Sequence, residues 1–201
     1  MIRIRNVVFD FGGVLVDWQP DRILGARFPD PRQRDVVRRE VFQHPDWVEF
    51  DRGRLSEADA VRHFAARASI TEDDMRALFD AIRHALQPKP ETIDVLRSLA
   101  ARHVPLFALS NMTAEIYGWL AERNDFFSLF KGVVISGAVG MAKPEPGIYA
   151  HLADAHGLVP AESLFIDDME ANIVAARHAG FQAIQFTDAR SLVVELERLG
   201  V

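Results

Sequence analysis

The sequence predicts an α/β protein, a doubly wound parallel sheet with an inserted helical segment, and two observations support this. Strand patterns alternate with helical patterns over residues 1–17 and 90–201, which is typical of parallel sheets with right-handed crossovers. In residues 18–89 the β-branched runs vanish, and apolar residues recur at helical spacing. We therefore predict a core of residues 1–17 and 90–201 and a helical domain of residues 18–89.

The composition narrows the possible functions. The 201 residues are 49% hydrophobic and 26% charged, which is ordinary for a globular protein with a substantial core. The net charge of −6 gives no general attraction to nucleic acid or an anionic membrane. The absence of cysteine excludes disulfides, thiolate nucleophiles and zinc–thiolate sites. We see no signal segment and no apolar run long enough to span a bilayer, and we therefore expect a cytoplasmic protein. We expect it to be either a monomer or a homodimer.

The first strand pattern covers residues 4–9 and ends at Asp10, which Gly12 and Gly13 follow closely. Its apolar, β-branched character is typical of a strand buried on both faces. Ligands of open parallel sheets bind beyond the carboxyl ends of strands, and glycine lets the backbone approach a ligand closely. Asp10 is therefore a candidate site residue, although Asp and Gly also end strands in simple turns.

The helical segment contains its own start and stop signals. Gly53 marks the end of one predicted helix. Ser56 and Asp59 have capping-box spacing at the start of the next helix, and Thr71 and Asp74 repeat that spacing. These signals predict several separate helices rather than one long one.

The rest of the chain alternates between strands and helices. We predict strands over residues 105–109, 132–135, 163–166 and 181–186, and helices over residues 90–103, 113–123, 145–155, 171–179 and 191–199. Residues 136–144 are predicted to form a loop. Polar groups suited to a phosphate follow three of these strands: Ser110 and Asn111, Lys143, and Asp167 with Asp168.

These polar groups match the needs of phosphoryl transfer to a protein nucleophile. Asp10 is the candidate nucleophile, since a carboxylate can form an aspartyl-phosphate that water later hydrolyses. Asp167 and Asp168 are hard oxygen ligands suited to Mg²⁺. Their adjacency also favours a cation, because two neighbouring carboxylates repel each other unless a cation or a donor offsets the charge.

The remaining candidates have plain structural alternatives. Ser110 and Asn111 precede a helix whose amino terminus can bind an anion, but such a pair is also a common helix cap. Lys143 can hold both a phosphate and the nucleophile as a point charge, but a single loop lysine is often only solvated. Both interpretations stay open for each of these residues.

Taken in their order along the chain, these motifs resemble those of the haloacid dehalogenase superfamily. The resemblance covers nearly the whole chain. The matching segments are residues 9–14, 109–111, 143–144 and 166–168 with Asn172. The resemblance implies a Rossmann-like core, a helical cap over the substrate, and Mg²⁺-dependent hydrolysis of a small phosphorylated metabolite, with a sugar phosphate favoured. It also implies site roles: catalysis by Asp10, Ser110 and Lys143; phosphate binding by Gly12, Gly13, Ser110, Asn111 and Lys143; metal binding by Asp10, Gly12, Asp167 and Asp168.

Position 12 departs from the usual family pattern. Most phosphatases of this family carry there a second Asp that protonates the leaving group and activates water, whereas this chain has Gly12. The main-chain carbonyl that contacts the metal is retained. In having glycine at this position, the chain is similar to a subgroup of bacterial sugar-1-phosphate phosphatases that includes enzymes acting on α-D-glucose 1-phosphate. Without an acid, substrates with an acidic leaving group are favoured, unless a residue such as His44 or a water supplies the proton.

A polar and aromatic cluster lies in the helical segment beside a glycine. Its members are His44, Trp47, Asp51 and Arg52. We predict that Trp47 and Arg52 contact the substrate. The alternative is an ordinary helix end with a partly buried tryptophan.

Two other functions remain open. A haloacid dehalogenase shares the fold and the Asp nucleophile but attacks carbon without a metal, so the pair Asp167 and Asp168 argues against it. A non-catalytic phosphate-binding or interaction protein is the second alternative, since the usual acid at position 12 is missing. The joint presence of the candidate residues argues against this second function: Asp10, Ser110, Lys143, Asp167 and Asp168.

Overall fold

The computed structural model describes residues 3–201, so the first two residues of the predicted core lie outside the described part of the chain. Five parallel strands form one sheet in the order β3-β2-β1-β4-β5. The strands are β1 Asn6–Phe9, β2 Leu106–Ser110, β3 Gly132–Ile135, β4 Ser163–Asp167 and β5 Gln182–Gln185. The chain moves outward from β1 to β3 and then returns to β4 on the other side. This reversal places the ligand-binding crevice at the carboxyl ends of β1 and β4.

The central strand is buried on both faces, as its composition predicts. Val7, Val8 and Phe9 have no exposed surface. Side chains alternate across a strand, and accordingly Val7 and Phe9 join one apolar layer while Val8 joins the other. The first layer includes residues of the helices Pro90–Ala101 (α6), Ala114–Ala121 (α7) and Ala189–Leu199 (α11), and the second includes residues of Pro146–His156 (α9) and Glu170–His178 (α10). The predicted doubly wound fold is confirmed.

Between β1 and α6 the described chain contains no strand and is mainly helical. Its α-helices are α1 Pro20–Arg27, α2 Pro31–Val37, α3 Pro45–Asp51, α4 Glu57–Ala68 and α5 Glu72–Ala85, and a π-helix, Arg38–Phe42, follows α2. The hydroxyl oxygen of Ser56 accepts a hydrogen bond from the Asp59 N–H at 3.1 Å, and Thr71 caps α5 in the same way at 3.0 Å. Apolar residues of these helices are continuous with the core layer that contains Phe9. The division into two domains stays a prediction.

The chain enters and leaves the helical segment through two connections that run side by side. The Asp17 N–H donates to the Gln87 carbonyl at 2.8 Å, and the Lys89 N–H donates to the Leu15 carbonyl at 2.9 Å. Between these bonds, residues 16 and 88 form an antiparallel bridge. The helical segment is therefore attached to the sheet through a paired neck.

One predicted loop differs from the structure. Residues 136–144 contain a short helix, Ser136–Val139 (α8). Four residues are too few to display a helical periodicity, so no pattern in the sequence indicates this turn. Other element boundaries differ from the prediction by only a few residues, which is usual for helix and strand ends. No helix within residues 3–201 is long and apolar enough to cross a membrane.

Candidate active site

Asp10 lies directly beyond the carboxyl end of β1 and is 7% exposed. Its main-chain N–H donates to the Ile166 carbonyl at 2.9 Å, which continues the pairing of β1 with β4. The Phe11 N–H donates to Asp10 Oδ1 at 2.7 Å. The sheet and the following turn therefore fix both the backbone and the carboxylate of this residue.

Lys143 connects two buried carboxylates. Its Nζ lies 2.9 Å from Asp10 Oδ1 and 2.6 Å from Asp167 Oδ2, and the residue is 3% exposed. Asn111 sets the position of the lysine backbone, because its side-chain oxygen accepts from the Lys143 N–H and its amide donates to the Lys143 carbonyl, both at 2.9 Å. The predicted phosphate ligand Asn111 thus also holds Lys143 in place.

Asp167 is fully buried, and several donors surround its carboxylate. The Asn172 amide nitrogen lies 3.0 Å from each carboxylate oxygen, and the Met169 N–H donates to Oδ1 at 2.8 Å. Asn172 is held in turn by Tyr149, whose hydroxyl donates to the Asn172 carbonyl at 3.0 Å. Asn172 therefore braces the strand end that carries Asp167.

Three carboxylates converge at this end of the sheet. Asp10, Asp167 and Asp168 each offer an oxygen, and these oxygens lie within 4.8 Å of one another. Lys143 alone of the described cations makes ion pairs within this cluster, so negative charge remains when all three carboxylates are ionised. Gly13 leaves the room that Asp168 occupies, because a Cβ on Gly13 would lie 2.3 Å from Asp168 Oδ2. The donor set fits a hard divalent cation such as Mg²⁺.

Burial shifts the ionisation of this cluster. It raises the pKa of Asp10 to about 7; the negative charge of Asp167 adds to this rise, and Lys143 opposes it. Burial and the charge of Asp167 also raise the pKa of Asp168. For Lys143, burial alone lowers the pKa, but the neighbouring carboxylates outweigh it and the net pKa is raised. The lysine therefore keeps its charge, and a bound cation favours the ionised form of Asp10.

A cavity of about 230 Å³ lies above these groups. Its floor is polar and includes Asp10, Ser110 and Lys143. Its walls are mainly apolar and are formed by Trp18, Trp47, Ile82, Leu86, Met112, Ile116 and Met169. Asp51, at the end of α3, also lines the cavity. The sheet therefore contributes charged groups, whereas the helical segment contributes mostly apolar surface.

The structure brings most of the predicted site residues together. Those that line the cavity are Asp10, Gly12, Trp47, Ser110, Asn111, Lys143 and Asp168. Asp167 reaches this group through Lys143, and Gly13 packs against Asp168. Their catalytic and binding roles stay predictions.

Two members of the predicted cluster on the helical segment lie elsewhere. The Arg52 guanidinium pairs with Glu49, at 2.6 Å, and with Glu145, and Arg52 is not among the residues lining the cavity. His44 caps the start of α3, where its Nδ1 accepts from the Asp46 N–H at 3.1 Å. Arg52 as a substrate contact and His44 as a proton donor therefore stay predictions without support from these contacts.

Sequence reasoning did not single out two residues near residues 10–13, called here the nucleophile loop after the candidate role of Asp10. Lys89 Nζ donates to the Gly13 carbonyl at 2.7 Å, and Trp18 lines the cavity with its ring 6.1 Å from that of Trp47. Trp18 follows Gly12 and Gly13 closely in the sequence, so this aromatic residue could have been singled out as a candidate near the site. Lys89 lies between two prolines, and nothing in that pattern indicates its contact with Gly13.

A family model described as haloacid dehalogenase-like hydrolase matches residues 4–180. The chain belongs to this family. It is therefore an enzyme of the hydrolase class, as predicted. Among its relatives, a sesquiterpene phosphatase of Aspergillus oryzae is 27% identical over 195 residues, which is 97% of this chain and 96% of that protein. A D-ribitol-5-phosphate phosphatase of Bacteroides thetaiotaomicron is 28% identical over 198 residues, which is 90% of this chain and 91% of that protein.

Solved structures of haloacid dehalogenase enzymes share the fold. A family enzyme from Bacteroides thetaiotaomicron, solved with magnesium and inorganic phosphate, has a TM-score of 0.75 at 20% identity and covers 94% of this chain and 98% of its own. An L-2-haloacid dehalogenase from Xanthobacter autotrophicus has a TM-score of 0.70 at 22% identity and covers 97% of this chain and 83% of its own. The superfamily prediction is confirmed. The narrower similarity to enzymes acting on α-D-glucose 1-phosphate is not shown, since these relatives are other phosphatases.

Proposed function

We propose that this enzyme is a Mg²⁺-dependent phosphatase that hydrolyses a small phosphorylated metabolite through an aspartyl-phosphate on Asp10. The observation that carries the proposal is the buried Lys143 ammonium, 2.9 Å from Asp10 and 2.6 Å from Asp167, at the floor of a cavity. This arrangement gives Asp10 and Asp167 a shared cationic partner and leaves Asp168 and the other carboxylate oxygens for a metal. The relatives named as phosphatases support the same reaction class.

In the proposed reaction, an oxygen of Asp10 attacks the phosphorus and the ester oxygen leaves into the cavity. Lys143 and the Ser110 hydroxyl stabilise the phosphate oxygens at the cavity floor. Asp10, Asp167, Asp168 and the Gly12 carbonyl would hold Mg²⁺. When bound, the cation neutralises phosphate charge and orients the phosphate. Water then cleaves the aspartyl-phosphate and regenerates Asp10.

The two alternatives are less well supported. A dehalogenase needs no metal, so the negative charge that Lys143 leaves unbalanced among the three converging carboxylates would have no cation to offset it. A non-catalytic binder has no need of a buried carboxylate whose burial raises its pKa to about 7, as it does for Asp10. Release of chloride or fluoride from 2-haloacids tests the first alternative directly.

The decisive experiment measures phosphate release from p-nitrophenyl phosphate with and without Mg²⁺. We expect turnover by the wild type and its loss in Asp10→Asn, which removes the nucleophile at nearly constant volume. Asp154→Asn, an exposed position on α9, is the matched control and should keep wild-type rates. Undiminished turnover by Asp10→Asn would exclude the mechanism, and no turnover by the wild type would exclude the function.

Two substrate classes follow from different features. Gly12, which cannot act as an acid, favours acidic leaving groups and hence the predicted sugar-1-phosphates, provided that no other residue supplies the proton. The apolar cavity wall, with Trp18, Trp47 and Leu86, instead favours esters of apolar alcohols, because buried hydroxyls without partners lose their hydration. The relatives named for a sesquiterpene and for D-ribitol 5-phosphate lie outside the predicted sugar-1-phosphate class.

Matched substrates separate these classes. Cyclohexylmethyl phosphate and glucose 6-phosphate are both esters of primary alcohols on a six-membered ring, and they differ mainly in polarity. If the wall selects the substrate, kcat/KM is at least about 5-fold higher for the cyclohexyl ester, since one unpaired buried hydroxyl already costs about 1–3 kcal/mol. If leaving-group acidity dominates, glucose 1-phosphate exceeds glucose 6-phosphate. Preference for glucose 6-phosphate over both would contradict both classes.

A further inference from the structure

The nucleophile loop has glycine at position 12, where most family phosphatases carry an acid, and the helical segment supplies a carboxyl group to the same cavity. We propose that Asp51 is the catalytic acid and base of this enzyme. The inference rests on the proposed function, because it assigns the proton that phosphate-ester cleavage requires. With Asp51 in this role, the reaction requires no catalytic residue on the nucleophile loop other than Asp10.

The first argument is position. Asp51 lines the cavity together with Asp10, Ser110 and Lys143. In the part of the chain that the structure describes, the helical segment contributes five residues to this lining: Trp18, Trp47, Asp51, Ile82 and Leu86. Of these, Asp51 alone carries an acid. In an in-line displacement the leaving oxygen departs on the side opposite the nucleophile, toward the cavity and its walls.

The second argument is that the helix end carrying Asp51 is fixed to the core. The Ser136 hydroxyl donates to the Asp51 carbonyl at 2.7 Å, and the Met112 N–H donates to the same hydroxyl at 2.9 Å. Gly53 approaches the core so closely that an added Cβ would lie 2.7 Å from the Gly137 carbonyl oxygen. Catalytic groups need this kind of support, since small displacements reduce the rate strongly.

An ion-pair network strengthens the same junction. The Arg52 side chain is 12% exposed and pairs with Glu49 on its own helix, at 2.6 Å, and with Glu145 of the core. Through these ion pairs Arg52 holds the helix end that carries Asp51 against the core. His44, the other candidate donor on this helix, lies at the opposite end, and its Nδ1 accepts a hydrogen bond from the Asp46 N–H.

The electrostatic surroundings suit a group that gives and takes a proton. Burial, followed by the negative charge of Asp10, raises the pKa of Asp51 to about 7. Lys143 and a hydrogen bond from Trp47 oppose this rise. The protonated and ionised forms are therefore both populated near neutral pH, which is the condition for efficient general acid–base catalysis.

The proton balance is as follows. A carboxylate oxygen of Asp10 forms a bond to phosphorus while the bond from phosphorus to the ester oxygen breaks, and that oxygen keeps the electron pair. The carboxylic acid of Asp51 donates its proton to the departing oxygen, which leaves as an alcohol. The resulting Asp51 carboxylate then accepts a proton from water as the water attacks the aspartyl-phosphate. Inorganic phosphate leaves, and both residues return to their starting forms.

The test compares p-nitrophenyl phosphate with p-nitrobenzyl phosphate, two esters of similar shape whose leaving groups are a phenolate and a primary alkoxide. Only the alkoxide needs a proton in order to leave. In Asp51→Asn we expect kcat/KM for the benzyl ester to fall by about 10²–10⁴-fold and that for the phenyl ester by less than about 10-fold. The ratio kcat/KM includes the steps up to alcohol release, so the later hydrolysis does not obscure the comparison.

Asp73→Asn is the matched control, because it removes an exposed carboxylate from α5 of the same helical segment, outside the cavity and away from the Arg52 ion pairs. It should change both esters by the same factor. If Asp51→Asn fails to fold, Asp51→Ala is measured instead. Equal losses on both esters, or no loss, would overturn the role of Asp51 while leaving the proposed function intact. Failure of the wild type to turn over either ester with Mg²⁺ would overturn the proposed function itself.

Discussion

Gly13→Ala tests whether the nucleophile loop is shaped around Asp168. Gly13 has φ +75°, in the left-handed region that residues with a Cβ avoid. An added Cβ would also lie 2.3 Å from Asp168 Oδ2 and 2.7 Å from its carboxyl carbon. The substitution must therefore both strain the backbone and displace a carboxylate from the three-carboxylate cluster.

The backbone strain alone sets the smallest loss of stability that we expect for Gly13→Ala. A residue with a Cβ in this conformation costs about 1–2 kcal/mol, which corresponds to a fall in Tm of about 2–8 °C for a chain of this size. Displacement of Asp168 adds to that loss and raises the Mg²⁺ concentration needed for half-maximal activity. Thermal unfolding followed by circular dichroism, and a Mg²⁺ titration of p-nitrophenyl phosphate hydrolysis, measure the two effects.

Gly12→Ala is the control in the neighbouring position. Gly12 does not have a left-handed φ, and the nearest atom to an added Cβ is the Trp18 Cβ at 3.6 Å, an ordinary contact. Its Tm and Mg²⁺ requirement should remain close to those of the wild type. Wild-type stability and metal dependence in Gly13→Ala, or equal effects in the two variants, would refute the reasoning.

Three further predictions concern the metal, the pH dependence and the cavity wall. Excess chelator should stop turnover, and Asp168→Ala should raise the Mg²⁺ requirement or abolish activity in a Mg²⁺ titration; full activity in chelator would contradict the metal site. Asp51, whose pKa burial raises to about 7 in the folded protein, retains a proton there that the unfolded chain releases near its ordinary value of 3.8. The metal-free protein should therefore lose stability as pH rises from about 4 to about 7, and urea unfolding should show a smaller loss in Asp51→Asn; identical pH profiles would contradict the shift. Trp47→Ala should reduce kcat/KM for cyclohexylmethyl phosphate more than for methyl phosphate, and equal losses would indicate damage to the helical segment instead.

The sequence allows the fold and the floor of the site to be predicted, for a physical reason. A strand buried on both faces must be apolar throughout, so a polar residue at its end, such as Asp10 or Asp167, stands out. Parallel strands bring their carboxyl ends to one edge of the sheet, which places Asp10, Ser110 and Asp167 close together without knowledge of any distance.

Contacts that depend on how the helical segment packs could not be predicted. Arg52 and Asp51 are adjacent on one helix end, and only the packing decides that the carboxyl group lines the cavity while the guanidinium pairs with Glu145. The same holds for the Ser136 hydroxyl, which reaches the Asp51 carbonyl across 85 positions of the chain from an unpredicted turn of helix. Local periodicity carries no information about such long-range pairs.

The paired neck at residues 16 and 88 has a consequence for how such enzymes diversify. Because the chain leaves and rejoins the sheet at one point, the inserted residues behave toward β1 and β2 like a closed loop, whose entropic cost grows only with the logarithm of its length. Helices can be lengthened, shortened or exchanged beyond the neck with little effect on how those two strands pair. Under the proposed function, changes beyond the neck alter the contacts with the variable half of a substrate and leave in place the residues proposed to bind its phosphate.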